Sequence, residues 1–152
     1  MLVYRIESED FIHEFPPRGS LFAEGRWNRI GTWVVYTSES VSLAKLEVLA
    51  NSGATLPCNV YRRTFEIQEN APFIQINIED LPQDWDQIPY PHGLADLIEE
   101  VRSEKRFLGC IVPSVQSHQE HNILIFGDHP EFHSNVKDLE AIPENFDPRL
   151  KG

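Results

Sequence analysis

Gly25-Arg26-Trp27-Asn28, closed by Gly31, runs into Thr32-Trp33-Val34-Val35-Tyr36-Thr37 and then into Ser42-Leu43-Ala44-Lys45-Leu46-Glu47-Val48-Leu49-Ala50. The order is loop, strand, helix. β-Branched and aromatic residues dominate the middle block, which predicts a strand. Ser38 or Ser40 can cap the helix that follows, by accepting a backbone N–H left free in its first turn. Asn51-Ser52-Gly53 stops that helix.

Outward from this unit, Leu2 to Ile6 reads as a strand before an acidic break, and Pro16-Pro17-Arg18-Gly19 as a loop. Val60 to Ile67 is a strand of mixed faces. Phe73 to Ile78 alternates better and is ended by Asp80-Leu81-Pro82. Ile88-Pro89-Tyr90-Pro91 is a loop, and Gly93 to Arg106 a charged helix. Phe107 to Val112 and Asn122 to Phe126 are short buried strands, the first stopped by Pro113. The end, Ala141 to Gly152, carries two prolines and is expected to wrap the surface or fray. Strands and helices mix without regular βαβ alternation, so the expected class is α+β, not a doubly wound sheet.

The 152 residues fit a single domain, 1–152, of the common size of about 100–150 residues. A hydrophobic fraction of 41% with 11% aromatics argues for a packed core and against disorder. Acidic residues outnumber Lys and Arg by 24 to 13, leaving a net charge of -11. Direct nucleic-acid binding and attachment to anionic membranes both need a basic footprint and are not expected. A phosphate-bearing ligand would need locally placed arginines or backbone N–H groups, because the overall field repels it. Two isolated cysteines, Cys58 and Cys110, suit a reducing compartment. With no secretion signal at the start and no run of roughly 20 apolar residues, a cytoplasmic location is expected.

Glu47 stands out. Positions 43, 46, 47 and 50 share one helix face, and Glu47 interrupts the apolar Leu43, Leu46 and Ala50. A carboxylate in such a stripe is costly unless paired or used. The ordinary alternative is a boundary glutamate bonded to one arginine. Glu24-Gly25-Arg26-Trp27-Asn28 combines a close-approach glycine, a guanidinium fork, a stacking face and an amide, which together suit a nucleotide. An ordinary turn is the competing reading. Tyr36 ends a strand beside Thr37-Ser38, and Ser114 follows Pro113 at a strand end where functional side chains often sit. No GxSxG elbow accompanies that serine, and no GxGxxG follows a strand. His118, His121, His129 and His133 have ligand-like spacing, but there is no HExxH helix and Pro130 interrupts the second pair. No metal site is expected.

Gly-Arg-Trp-Asn at 25–28, the strand closing in Tyr36-Thr37-Ser38 and the helix Leu43-Ala44-Lys45-Leu46-Glu47 resemble the N-terminal half of the RES domain family. Ile111-Val112-Pro113-Ser114-Val115, the stretch His121 to Phe132 and Phe146-Asp147-Pro148-Arg149-Leu150 resemble its later elements, so the likeness runs from Tyr4-Arg5 to Leu150. Glu24, in place of a glycine common in the family, and Phe126-Gly127-Asp128 depart from its pattern.

The resemblance implies a split mixed β core like that of ADP-ribosyltransferases. It implies a toxin that destroys NAD at the nicotinamide–ribose bond, by hydrolysis or phosphorolysis. NAD is then a substrate and no prosthetic group is needed. Arg26, Tyr36, Glu47 and Ser114 become the catalytic set. Arg26 would grip the pyrophosphate, Tyr36 would stack on nicotinamide or position its ribose, and Ser114 would donate to ribose or phosphate. Arg5, Asn28 and Asn122 become further cleft contacts. The implied partner is an Xre-type antitoxin, with a toxin homodimer in the complex. Two alternatives stay open: transfer of ADP-ribose to a macromolecule, and an inactive partner-binding domain.

Overall fold

The computed structural model describes residues 1–151. Seven strands form one sheet: β1 (Leu2–Ser8), β2 (Val34–Ser38), β3 (Val60–Ile67), β4 (Phe73–Gln75), β5 (Gly109–Pro113), β6 (His121–Phe126) and β7 (Val136–Glu144). Three helices accompany it: α1 (Val41–Asn51), α2 (Gly93–Glu104) and the short α3 (Phe132–Asn135). The strand order is β4-β5-β6-β2-β1-β3-β7. Only β4 and β5 run parallel, so the sheet is mixed and the fold is α+β.

Both faces of the central strands are covered, and period-two alternation explains how. Along β6, Leu124 and Phe126 face one core with Val34, Cys110 and Val112, while Ile123 and Ile125 face another with Val3, Val35 and Phe65. On the first face, α2 lays down Leu94, Ala95, Ile98 and Val101, a stripe at helical spacing. A third, small cluster joins Ile6, Ala44 and Val60 beneath α1.

The sheet is nearly divided at its middle. β2 follows β6 through five paired residues, and β1 follows β3 through seven. Between β1 and β2 the pairing is reduced to Tyr4 opposite Ser38. The split core expected from the sequence is this seam, and a cleft opens along it.

Some local expectations differ from the structure, and the choice between two helix caps is decided. The strand beginning at Phe73 ends at Gln75, and a tight turn at Ile78–Asp80 follows. Ser40, not Ser38, caps α1: its Oγ accepts the Leu43 N–H at 3.1 Å. Ala141 to Glu144 are not a surface tail but the end of β7, laddered to β3. β7 reads Val-Lys-Asp-Leu-Glu-Ala-Ile-Pro-Glu because it is an edge strand, where charge and proline are tolerated and no burial enforces alternation. Residues 145–151 do pass over α1: Lys45 Nζ donates to the Asn145 carbonyl at 2.8 Å and Lys151 Nζ to that of Leu49 at 2.8 Å. Gly152 lies outside the described residues.

Candidate active site

The cleft at the seam has a volume of about 540 Å³. Its walls come from β1, β2, α1, the loop around Gly25, the segment at Ile88 and Tyr90, and Gln116 with Asn122. Arg5, Arg26, Asn28, Tyr36, Glu47 and Asn122 all line it. Ser114 does not; it is fully buried just behind.

Glu47 is half-buried in the middle of α1. The apolar stripe expected around it is not what surrounds it. Leu46 is 44% exposed and Ala50 is exposed, while the cleft face of the helix is Ala44, Glu47, Val48 and Asn51. What holds the carboxylate comes from other strands. Ser114 Oγ donates to Glu47 Oε1 at 2.7 Å and Asn122 Nδ2 donates to the same oxygen at 2.9 Å. Among the described residues no group bonds Oε2. One oxygen is anchored and the other is left to the cleft.

Ser114 therefore donates to Glu47, where the sequence suggested a bond to ligand. Its Oγ also accepts the Gln116 N–H at 3.1 Å, which fixes the turn after β5. Asn122 is oriented in turn: Ser38 Oγ donates to its Oδ1 at 2.8 Å.

The Gly25–Asn28 loop is a tight turn. Gly25 N–H donates to the Asn28 carbonyl at 3.1 Å and Asn28 N–H to that of Gly25 at 3.3 Å. Glycine is required because a Cβ at 25 would lie 2.8 Å from Tyr36 Oη and 3.0 Å from Asn28 Oδ1. The Asn28 amide is spent within the loop, donating to the carbonyls of Ser20, Ala23 and Arg29. Tyr36 Oη donates to Asn28 Oδ1 at 2.6 Å and accepts the Trp27 N–H at 3.2 Å. Burial holds this phenol well above its ordinary range, so it stays neutral, with its ring on the cleft wall and its hydroxyl engaged. Asn28 and Tyr36 thus lock the loop against β2.

Arg26 leaves that loop toward the opposite wall. Its Nη1 donates to the carbonyls of Trp85 at 2.7 Å and Gln87 at 2.9 Å. Its guanidinium lies over the Tyr90 ring at 5.3 Å. Among the described residues Nε and Nη2 have no protein partner, which leaves two nitrogens with three N–H donors. Arg5 acts as a strut across the seam: Nη1 donates to the Tyr36 carbonyl at 3.0 Å and Nε to Glu7 at 3.1 Å. Glu7 in turn pairs at 2.6 Å with Arg63, which is fully buried.

Ser38 and Tyr90 line the wall without a functional role in the sequence reading, Ser38 as a possible helix cap and the close of the Tyr36-Thr37-Ser38 strand, Tyr90 as part of a loop. A tyrosine held between Pro89 and Pro91 was the available signal for the second. The four histidines go separate ways. His118 packs on Trp85 at 5.2 Å, His121 approaches Glu39 at 3.5 Å, His129 meets the Lys105 carbonyl, and His133 lies edge-on to Phe132. Among the described residues no group of three or more His, Cys, Asp or Glu side chains is placed to hold a metal ion.

The sequence matches the model of the RES domain over residues 2–147. The chain belongs to the RES domain family. Two curated RES relatives are each called Toxin Res. That of Yersinia enterocolitica (serotype O:8 / biotype 1B) is 29% identical over 153 residues, covering 99% of this chain and 100% of that protein. That of Photorhabdus laumondii subsp. laumondii is 30% identical over 156 residues, covering 99% and 97%. The Prs ADP-ribosylating toxin of a Sphingobium species is 31% identical over 136 residues, covering 87% and 83%. Among solved structures, the crystal structure of the M. tuberculosis MbcT–MbcA toxin–antitoxin complex superimposes with a TM-score of 0.68 over 99% of this chain and 86% of that one. At 13% identity this likeness speaks for the fold alone.

In this RES domain the cleft holds both signs of charge. Burial draws the Arg26 guanidinium below its ordinary value, and Glu47 is the largest of the charges that oppose that. An anchored carboxylate and a guanidinium with free donors thus share one cavity, of the size usual for a small-molecule site. Such a pair can hold an anionic group at one end and stabilise positive charge at the other.

Proposed function

We propose that this protein is the toxin of a toxin–antitoxin pair and that it cleaves the nicotinamide–ribose bond of NAD. The observation that carries the reading is Glu47 Oε1 held by Ser114 and Asn122, in the same cleft as Arg26. The toxin names of the relatives that match nearly the whole chain support it.

The chemistry follows from the charges. When the bond breaks, its electron pair goes to the nicotinamide nitrogen, which becomes neutral, and positive charge moves onto the ribose. A fixed carboxylate stabilises that charge, most strongly where water is thin. Glu47 fits this role with an oxygen already immobilised. Nicotinamide leaves as a neutral molecule, so no strong general acid is needed. Arg26 has two nitrogens, Nε and Nη2, left for the pyrophosphate, and the Tyr36 ring offers a face for nicotinamide. Water or phosphate then attacks the ribose carbon, and a water nucleophile releases its proton to solvent.

The partner in this reading is an antitoxin of the Xre type that covers the cleft, with the toxin a homodimer in the complex and at work in the cytoplasm. The fold neighbour, solved as a toxin–antitoxin complex, supports an antitoxin. The test is incubation of purified protein with NAD, with and without phosphate. Free nicotinamide with ADP-ribose means hydrolysis, a phosphorylated product means phosphorolysis, and intact NAD in both arms ends the proposal. The Sphingobium relative's name favours a second reading, transfer of ADP-ribose to a protein. NAD labelled in its adenylate half would then leave label on a protein target.

A further inference from the structure

We infer that Ser38 is a positioning residue for the reaction, acting through Asn122 on Glu47. The inference rests on the reading of Glu47 as the catalytic carboxylate. Three groups form a chain: Ser38 Oγ donates to Asn122 Oδ1 at 2.8 Å, and Asn122 Nδ2 donates to Glu47 Oε1 at 2.9 Å. Ser38 is 4% exposed and Asn122 7%, so water does not readily replace either contact. The register supports the arrangement, since Ser38 and Asn122 are direct cross-strand partners. Ser38 also stands opposite Tyr4, at the single point where β1 meets β2.

The direction of the chain follows from charge. An ionised Glu47 demands a donor, so the Asn122 amide must turn its NH₂ toward α1 and its oxygen toward β2. That oxygen is then a buried acceptor, and Ser38 is the group that satisfies it. A hydroxyl donating to the amide oxygen polarises the amide and strengthens the N–H bond to the carboxylate. Ser40 serves as the helix cap, so Ser38 is free for this task. Without the Ser38 hydroxyl, Asn122 loses the partner that holds its orientation, and the alternative orientation sets its oxygen against Glu47.

Ser38→Ala therefore lowers kcat about tenfold, the rate equivalent of one neutral hydrogen bond, with KM little changed. It also moves the Asn122 side-chain amide proton resonances upfield, because the N–H bond to Glu47 Oε1 weakens. Ser38→Thr keeps a hydroxyl and restores both quantities. Ser38→Cys, nearly isosteric with a weak donor, falls between alanine and the native protein.

That second readout needs no turnover, and the Asn122 amide resonances are assigned by their absence in Asn122→Asp. They return to their native positions in Ser38→Thr. If the native protein leaves NAD intact but these resonances still follow Ser38, the NAD reading fails and the positioning role stands. A folded Ser38→Ala protein with native kcat and native Asn122 resonances overturns the inference. So does a change confined to KM, or a folded Ser38→Thr that restores neither quantity.

Discussion

Replacing Glu47 by Gln removes one charge and almost nothing else. Glu47 Oε1 accepts from Ser114 and Asn122, and a glutamine amide oxygen can accept both bonds. The NH₂ then falls where the unanchored Oε2 stood, facing the cleft. Shape and hydrogen bonding are kept, so the melting temperature is expected to stay within a few degrees of native. The rate is not. A unit charge about 4 Å from a developing positive centre, at an effective dielectric of 20, is worth about 4 kcal/mol. At 1.36 kcal/mol per decade, kcat should fall by up to about a thousandfold, with a smaller change in KM, because in the ground state the positive charge sits on the nicotinamide ring and reaches the ribose only in the transition state. The assay is nicotinamide release under saturating NAD, beside a thermal melt of the same preparation. A native-like melt with turnover inside tenfold of native would falsify the electrostatic role of Glu47.

Three further outcomes follow from other parts of the structure. Arg26→Ala should raise KM for NAD about tenfold to a hundredfold, the loss of charge-assisted bonds to phosphate; an unchanged KM by steady-state kinetics would place the pyrophosphate elsewhere. Arg63→Ala removes a fully buried side chain and leaves Glu7 with Arg5 alone in place of its 2.6 Å partner, which should cost about 3 kcal/mol, a drop of about 10 °C in a thermal melt; a native melt contradicts that. Burial pushes the Cys110 thiol up to about 12 while Cys58 is exposed, so a thiol reagent near pH 8 should titrate one cysteine in the native protein and two after unfolding. The stability Cys110 gains by staying protonated is fully present below its ordinary 9.0 and is lost as pH rises toward about 12.

What could be read from the chain depended on whether burial left a pattern in it. The strand at Val34–Ser38 and the helix after it were legible because β-branched residues, a serine cap and a glycine stop all act locally. β7 was not, because an edge strand exposed along most of its length keeps its place by backbone pairing to β3, which leaves no period in its side chains. Glu47 stands out in the sequence for a geometric reason that the fold does not keep. Leu46 and Ala50, expected to bury it, face solvent, and Asn122 and Ser114, far away in sequence, anchor it instead. Ser114 and Asn28 illustrate a limit of residue-type reasoning. A hydroxyl or amide that suits a ligand suits an internal partner equally, and only the fold decides which one it meets. Ser38 was hidden for the same reason, since a serine before a helix is first of all a cap.

The acidity of the chain and the nature of its proposed substrate are compatible because they act over different distances. At physiological ionic strength exposed charges are screened beyond about 8 Å, so the surplus that makes up a net charge of -11 is weak at the bottom of a cleft. What a ligand meets there is Arg26 on one wall and Glu47 on another. NAD carries negative charge at its pyrophosphate throughout, but positive charge reaches its ribose only as the bond breaks. The two cleft charges therefore act at different moments. Arg26 stabilises ground state and transition state alike, and its loss belongs in KM. Glu47 favours the transition state over the ground state, in which the positive charge is still on the nicotinamide ring, and its loss belongs chiefly in kcat. The held oxygen of Glu47 makes this division effective, because a carboxylate fixed by Ser114 and Asn122 cannot swing across to neutralise Arg26.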